Sequence, residues 1–184
     1  RQRQMCIRDR SSNLSSFAVD AAGNLYVSDY NNIYVLDAEG NVQFKLDGSQ
    51  YNGSLNRLNA QQVGVMWYNY TDDVNAADEN GQYFVPIDLE TKDWGEKVKL
   101  PSNVGSILPG DDAYDFYYTY NNNIYGYTAK TDTKEKLVDW LACDVDTNNM
   151  SGYAMLSDSR VAALMQDWST AVSYTHLTLP TTSR

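Results

Sequence analysis

The side chains best suited to bind a metal are the alternating oxygen donors Asp144, Asp146 and Asn148. Their spacing matches the start of a calcium-binding loop, in which alternate oxygens converge on a hard cation. The rest of that pattern is missing, because Asn149 stands where a sharp-turn glycine belongs and Met155 where a bidentate glutamate belongs. We therefore predict an ordinary polar loop here and no metal site.

Paired carboxylates are the next candidates for chemistry, at Asp72-Asp73, Asp78-Glu79 and Asp111-Asp112. General acid–base catalysis requires two carboxyl groups at a set separation within a cleft. No feature of the sequence sets such a separation, and the neighbouring Asn and Gly residues favour turns. The sequence therefore predicts no catalytic residue among these acids.

Histidine and cysteine are scarce in this chain. The single histidine is His176, and the two cysteines are Cys6 and Cys143. His176 and Cys6 lie in terminal segments that we assign below to foreign DNA. The rest of the chain then has no imidazole for a catalytic triad or a metal site, and Cys143 alone is typical of a small buried hydrophobe. We predict no catalytic, cofactor-binding or metal-binding residue, and no cofactor.

The two ends of the chain correspond to one DNA sequence read on opposite strands. Residues 1–10 can be encoded by CGG CAG CGT CAG ATG TGT ATA AGA GAC AG, and the reverse complement of that DNA encodes residues 172–180. Such a pair is typical of a transposon-end adapter used in DNA library preparation. We expect residues 1–10 and 172–184 to be adapter-derived, and residues 11–171 to form the domain.

The composition of the chain limits its partners. The formal net charge is −10, and the terminal segments hold five of the 14 basic residues but only one of the 24 acidic ones. The remaining chain is therefore still more acidic and repels phosphate backbones, which argues against nucleic acid and anionic membrane surfaces as partners. No apolar run approaches the roughly 18 residues of a membrane-spanning helix.

Residues 17–46 are the segment around which the chain is organised. Four short apolar runs, at 17–20, 25–29, 33–37 and 42–46, alternate with a period of two, which predicts half-buried β-strands. Two connections are near copies, Asp20-Ala21-Ala22-Gly23-Asn24 and Asp37-Ala38-Glu39-Gly40-Asn41. Each has an aspartate that can accept hydrogen bonds from its own backbone, followed by a Gly-Asn pair that readily adopts positive φ. The stretch predicts a four-stranded antiparallel meander.

Three further units repeat this alternation of strands and turns, over residues 55–100, over 104–141 and from 151 onward. Ile33 and Ile124 occupy matching positions 91 residues apart, which indicates repeats of about 45 residues. In the second unit, residues 71–81 favour a long turn, and Pro86 indicates an edge strand or a bulge. Residues 133–144 fit either a helix or a strand.

The stretch AVDAAGNLYVSD, with the DAEGN turn that follows it, resembles one blade of an NHL-type β-propeller. The resemblance implies an all-β fold, a partial β-propeller of about three and a half four-stranded antiparallel blades in an open arc, because closed propellers have roughly 4–8 blades. Each blade would then cover an apolar face of the next. An unrelated β-sandwich is the alternative.

Residues 114–141 are similar to repeats of large bacterial secreted lipoproteins, in which a propeller-like region accompanies a solute-binding domain of sugar transporters. The similarity implies a non-catalytic binding or scaffolding segment of a larger extracellular or cell-envelope protein, linked to carbohydrate uptake, with a protein or carbohydrate ligand. Tyrosines that leave the core could stack on sugar rings. They would come from the aromatic runs Trp67-Tyr68, Tyr117-Tyr118 and 125–127.

Two other classes of function stay open. The first is a fragment of a propeller enzyme, a lyase or a quinone-dependent dehydrogenase, whose active site lies in blades beyond this chain. Such sites usually use His, Arg or metal ligands, and residues 11–171 contain no histidine and only Arg57 and Arg160 as arginines. The second is a cytoplasmic propeller that binds other proteins.

Overall fold

The computed structural model describes residues 14–29, 31–121, 123–142, 148, 150–155, 160–167 and 172–179. Over these residues the chain forms sixteen β-strands, arranged in four antiparallel sheets, and two short 3₁₀ helices. The predicted all-β class is therefore confirmed. The chain divides into two compact units, Arg1–Asn103 and Val104–Arg184. Neither helix is long and apolar enough to cross a membrane.

The first sheet of the first unit is the meander predicted for residues 17–46. Its strands are β1 (Ser16–Val19), β2 (Leu25–Ser28), β3 (Asn32–Leu36) and β4 (Val42–Asp47), and they pair in that order. Gly23 and Gly40 have φ of 87° and 86°, a left-handed conformation that glycine adopts without steric cost. The two near-copy turns therefore form where the sequence places them.

The second sheet of this unit is built from residues 55–99. Its strands are β5 (Leu55–Arg57), β6 (Val63–Asn69), β7 (Gly81–Asp88), β8 (Asp93–Trp94) and β9 (Val98–Lys99). The order is β5-β6-β7-β8, and β9 also pairs with β7. A 3₁₀ helix, Val74–Glu79, lies within the long turn predicted between β6 and β7.

Pro86 does not mark an edge strand, because β7 pairs with β6 on one side and with β8 and β9 on the other. Strand β9 pairs with residues 83 and 84, and β8 pairs with residues 87 and 88, so the outer ladder is interrupted at Pro86. The Pro86 carbonyl faces that interrupted side, where it accepts a hydrogen bond from the Gly95 N–H at 2.8 Å. The missing proline N–H points to the same side and therefore breaks no regular ladder bond.

The second unit begins with another four-stranded meander. Its strands are β10 (Ile107–Pro109), β11 (Phe116–Tyr120), β12 (Asn123–Thr128) and β13 (Thr133–Asp139), and they pair in that order. The other 3₁₀ helix, Ala129–Thr131, precedes β13. Of the two interpretations open for residues 133–144, the strand is correct over 133–139.

The last described sheet contains β14 (Met150–Met155), β15 (Val161–Asp167) and β16 (Val172–Leu179), paired in that order. Strand β16 lies in the segment that the sequence assigns to adapter DNA. We propose that residues 11–171 are the native domain and that β16 pairs with β15 because the edge of β15 offers unpaired backbone groups to any extended segment.

The meanders of the two units are copies at a spacing of 91 residues. Strands β1 to β4 begin at 16, 25, 32 and 42, and β10 to β13 begin at 107, 116, 123 and 133. The Tyr26 hydroxyl donates to Asp20 at 3.1 Å, and the Tyr117 hydroxyl donates to Asp111 at 2.6 Å. These two bonds occupy matching positions, so the 91-residue spacing predicted from Ile33 and Ile124 is confirmed. The sheet between the two meanders has a different spacing, with strands that begin at 55, 63, 81 and 93.

Each unit has its own apolar core. In the first unit, residues from β2, β3 and β4 pack against residues from β5, β6 and β7, so the faces of the two sheets contact each other. In the second unit, Tyr117, Ile124 and Trp140 pack against Val161 and Ala163 of β15. Face-to-face packing of this kind covers the apolar faces of sheets that could not fold alone.

Candidate functional site

The loop with calcium-like spacing lies outside the described residues, apart from Asn148, which is exposed. Cys143 lies outside them as well. His176 belongs to β16, for which only the backbone is described. Within the described ranges, no group of three or more His, Cys, Asp or Glu side chains is placed to hold a metal ion.

The paired carboxylates occupy turns, as their Asn and Gly neighbours indicate. Asp73 caps the first 3₁₀ helix by accepting from the Asn75 N–H at 2.9 Å. Asp72 is exposed and accepts from the Tyr70 hydroxyl at 2.6 Å. Asp111 accepts from the N–H groups of Ala113 and Tyr114 as well as from Tyr117. The absence of a catalytic role for these acids stays a prediction.

The aromatic runs divide into buried and exposed members. Tyr117 and Tyr118 are both buried, so neither is available to stack on a ligand. Tyr68 is mostly exposed, Trp67 and Tyr125 are half-buried, and Tyr127 is buried. The hypothesis of stacking tyrosines therefore applies to a smaller set than the sequence indicates.

A polar cleft lies at one end of the first sheet, a site that the sequence analysis did not identify. Its volume is about 180 Å³, and its lining includes hydroxyl, carboxylate and aromatic groups from three segments that are distant in sequence. Those that bear on ligand binding are Ser15, Ser16, Asp29 and Tyr51. We refer to it as the serine cleft.

Asp29 contributes the negative charge of the serine cleft. Its Oδ1 accepts from the Asn31 N–H at 2.8 Å, from the Asn32 N–H at 2.7 Å and from Asn32 Nδ2 at 3.2 Å. From the described residues, its Oδ2 accepts a single long bond of 3.3 Å, donated by Asn32 Nδ2. Partial burial raises the pKa of Asp29, but these hydrogen bonds and the charge of Lys45 outweigh burial and lower it below its ordinary value. Asp29 is therefore a carboxylate at neutral pH, with one oxygen largely unused.

Serine hydroxyls line the same cleft in a connected set. The Ser28 hydroxyl is buried and donates to the Asp29 carbonyl at 2.9 Å. The Ser15 hydroxyl lies 3.1 Å from the Ser28 carbonyl and 3.3 Å from the Ser28 hydroxyl. The Ser16 hydroxyl accepts from the Leu55 N–H at 3.1 Å, which joins the first sheet to the second.

An aromatic cluster holds one wall of the cleft. The Tyr51 ring contacts Trp67 edge-to-face at a centroid distance of 5.2 Å and Trp94 at 4.9 Å. The Lys97 ammonium lies 5.8 Å from the centroid of Trp67 and 5.1 Å from that of Tyr83. Aromatic pairs of this geometry add about 0.5–1.5 kcal/mol beyond area burial, so Tyr51 is held in place by its neighbours.

One signal in the sequence pointed to this cleft. Period-two alternation places Ser28 on the same face of β2 as the buried Tyr26. A polar residue on a core face needs a partner or a function. The contributions of Ser15 and of residues 51–54 could not be read in this way, because they reach the cleft only when the first two sheets pack together.

Comparison with known proteins finds no matching family model and no matching curated protein. Two solved structures from B. thetaiotaomicron are similar. One is the extracellular domain of a protein described as a one-component system, with 15% identity and a TM-score of 0.45 over 89% of this chain and 23% of that chain. The other is the extracellular domain of a protein described as a hybrid two-component system, with 14% identity and a TM-score of 0.47 over 89% and 22%. This chain spans less than a quarter of the length of each.

Proposed function

We propose that this chain is a non-catalytic binding and scaffolding segment of a β-propeller within a larger bacterial extracytoplasmic protein. The observation that carries the proposal is the 91-residue repeat of four-stranded meanders, with its matching Tyr-to-Asp hydrogen bonds. Repeated four-stranded sheets that stack face to face are the building plan of propellers. The packing of the first sheet on the second follows the same plan.

The chemistry of the described carboxylates supports a scaffolding role. Several aspartates each accept hydrogen bonds from backbone N–H groups of their own turn and so stabilise the conformation of a loop. They are Asp20, Asp29, Asp37, Asp47, Asp88 and Asp111. A carboxylate that serves as such an acceptor stabilises local structure without any reacting partner.

The extracytoplasmic location and the link to carbohydrate uptake rest on the resemblance of residues 114–141 to repeats of secreted lipoproteins. The serine cleft adds a place where a small polar ligand could bind. The ligand class is a carbohydrate or a protein. A propeller enzyme with its active site in other blades is the competing function.

Binding without turnover is the expected behaviour of the full chain. We expect calorimetric titration with neutral oligosaccharides from starch, cellulose and mannan to give saturable binding with at least one of them. Chromatography and mass spectrometry of the same samples should recover that oligosaccharide unchanged.

Two results would contradict this function. Shortened or unsaturated sugar products would indicate a glycosidic-bond-cleaving enzyme. Reduction of an added quinone in the presence of sugar would indicate a dehydrogenase. Heat-unfolded chain is the control, because sugar cleavage and quinone reduction by this protein would both require its folded state.

A further inference from the structure

The serine cleft presents donors and acceptors in a mixture that suits a hydroxyl-rich ligand. The hydroxyl of the exposed Ser15 already donates to the Ser28 carbonyl, which leaves its oxygen lone pairs to accept. The Ser16 hydroxyl accepts from Leu55 and keeps its hydrogen to donate. Asp29 Oδ2 is a further acceptor with spare capacity. A sugar hydroxyl both donates and accepts, so it can bond to each of these groups.

The size and the walls of the cleft narrow the choice of ligand further. A volume of about 180 Å³ is below the roughly 300–1,000 Å³ of sites for drug-sized ligands, and it suits a single sugar ring. The Tyr51 ring supplies apolar surface for the C–H face of such a ring. Trp67 and Trp94 hold the Tyr51 ring in place.

Other small ligands fit less well. None of the described residues that line the cleft is a Lys, Arg or His, and Lys45, whose charge acts on Asp29, is not among them. An anion inside the cleft would therefore lie beside Asp29 without a cation in the lining. Among the described lining residues, Asp29 is the only carboxylate, which is too few for a hard cation site. A neutral polyhydroxyl ligand requires neither a counter-charge nor further carboxylates.

We propose that the serine cleft binds one neutral monosaccharide unit, free or at the end of a glycan, through Asp29 and the hydroxyls of Ser15 and Ser16, with Tyr51 against the ring. This inference rests on the proposed binding function and names the ligand class and the site. Asp29 accepts a hydrogen bond from a sugar hydroxyl, and the charge on its carboxylate strengthens that bond.

Titration of the full chain with D-glucose, D-galactose and D-mannose by calorimetry tests this assignment. At least one sugar should bind saturably, and D-glucuronate should bind more weakly because its carboxylate faces Asp29. Asp29→Asn keeps an Oδ1 acceptor for the turn but loses the charge, so affinity should fall roughly tenfold to hundredfold. Asp47→Asn is the matched control, because Asp47 holds an exposed turn through Ser49 beside the cleft without lining it.

Melting curves establish that the variants are folded, and Ser15→Ala provides a second test at an exposed position if Asp29→Asn unfolds. The affinity of Ser15→Ala for the sugar should fall severalfold. The cleft is the wrong site if a sugar binds equally to wild type, Asp29→Asn and Ser15→Ala, in which case the proposed binding function still stands. Absence of binding by all three neutral sugars overturns the inference as well. Conversion of the sugar to a product overturns the proposed function itself.

Discussion

Replacing Trp140 by alanine should lower the free energy of unfolding by about 3–5 kcal/mol, as for other large buried aromatic side chains. Trp140 is 1% exposed and packs with Tyr117 and Ile124 of one sheet and with Val161 and Ala163 of the next. The deletion leaves a cavity between the two sheets of the second unit, and the loss of buried apolar area adds to the cost. Urea unfolding followed by far-UV circular dichroism measures the change.

The neighbouring residue provides the control for this experiment. Leu141 is 78% exposed, so Leu141→Ala should change the stability by no more than about 0.5 kcal/mol. Equal effects of Trp140→Ala and Leu141→Ala would mean that Trp140 does not lie between packed sheets. The face-to-face packing of the second unit would then be wrong.

Asp20→Ala should cost about 3 kcal/mol, because Asp20 is a buried carboxylate with several hydrogen-bond donors. It accepts from Ala22 N–H, from the N–H and Nδ2 of Asn24, and from the Tyr26 hydroxyl. Tyr26 is completely buried, so removal of Asp20 leaves its hydroxyl without this acceptor. The double variant Asp20→Ala/Tyr26→Phe should therefore recover part of the loss.

Asp37 offers the matched control, since it occupies the near-copy turn on the protein surface. It accepts from the N–H and Nδ2 of Asn41, but the turn is exposed. Water can replace those bonds, so Asp37→Ala should be clearly less destabilising than Asp20→Ala. Comparable losses for the two variants would show that burial of the first turn contributes little.

The contribution of Asp20 should also depend on pH. Burial raises the pKa of Asp20, but hydrogen bonds from Asn24, Tyr26 and Ala22 outweigh burial and lower it below the ordinary value. A lowered folded-state pKa means that the stabilisation is fully present above the unfolded pKa of about 3.9 and disappears as the pH falls through the folded value. The difference in stability between wild type and Asp20→Ala should therefore shrink below about pH 4.

Local features of the fold could be predicted from the sequence because they depend on a few adjacent residues. The turn at Asp20 needs only the aspartate, Gly23 and Asn24, and all three lie within five positions. The repeat was visible because Ile33 and Ile124 keep their place in matching strands. Strand β8 was not predicted, because a strand of two residues after a turn is too short to show an alternation of apolar and polar residues.

The serine cleft could not be predicted, because it depends on how the sheets pack. Ser28 ends one strand and Asp29 follows it, Ser15 precedes another strand, and Tyr51 follows a third. Their proximity is set by the contact between the first two sheets and by the Ser16-to-Leu55 hydrogen bond. The edge strand that Pro86 indicated is wrong for a related reason, because the interruption of its outer ladder is a property of the partner strands.

A propeller segment should leave apolar side chains exposed to water, and two side chains of the edge strand β1 are exposed in this way. Phe17 and Val19 of β1 are 74% and 42% exposed, on the face opposite to Ala18, which packs on the core. In a propeller this face would lie against a neighbouring blade. Here it favours association between copies of the chain, opposed by the net charge of −10.

Light scattering at increasing salt tests the central claim, that the chain is one part of a stack of repeated sheets. Salt shortens the Debye length to about 8 Å at physiological ionic strength and so weakens the repulsion between copies. We predict that the average mass of the full chain, and equally of residues 11–171, rises with salt. A monomer whose mass is independent of salt and whose thermal unfolding is sharp and cooperative would mean that the chain is a complete domain, and would contradict the propeller assignment.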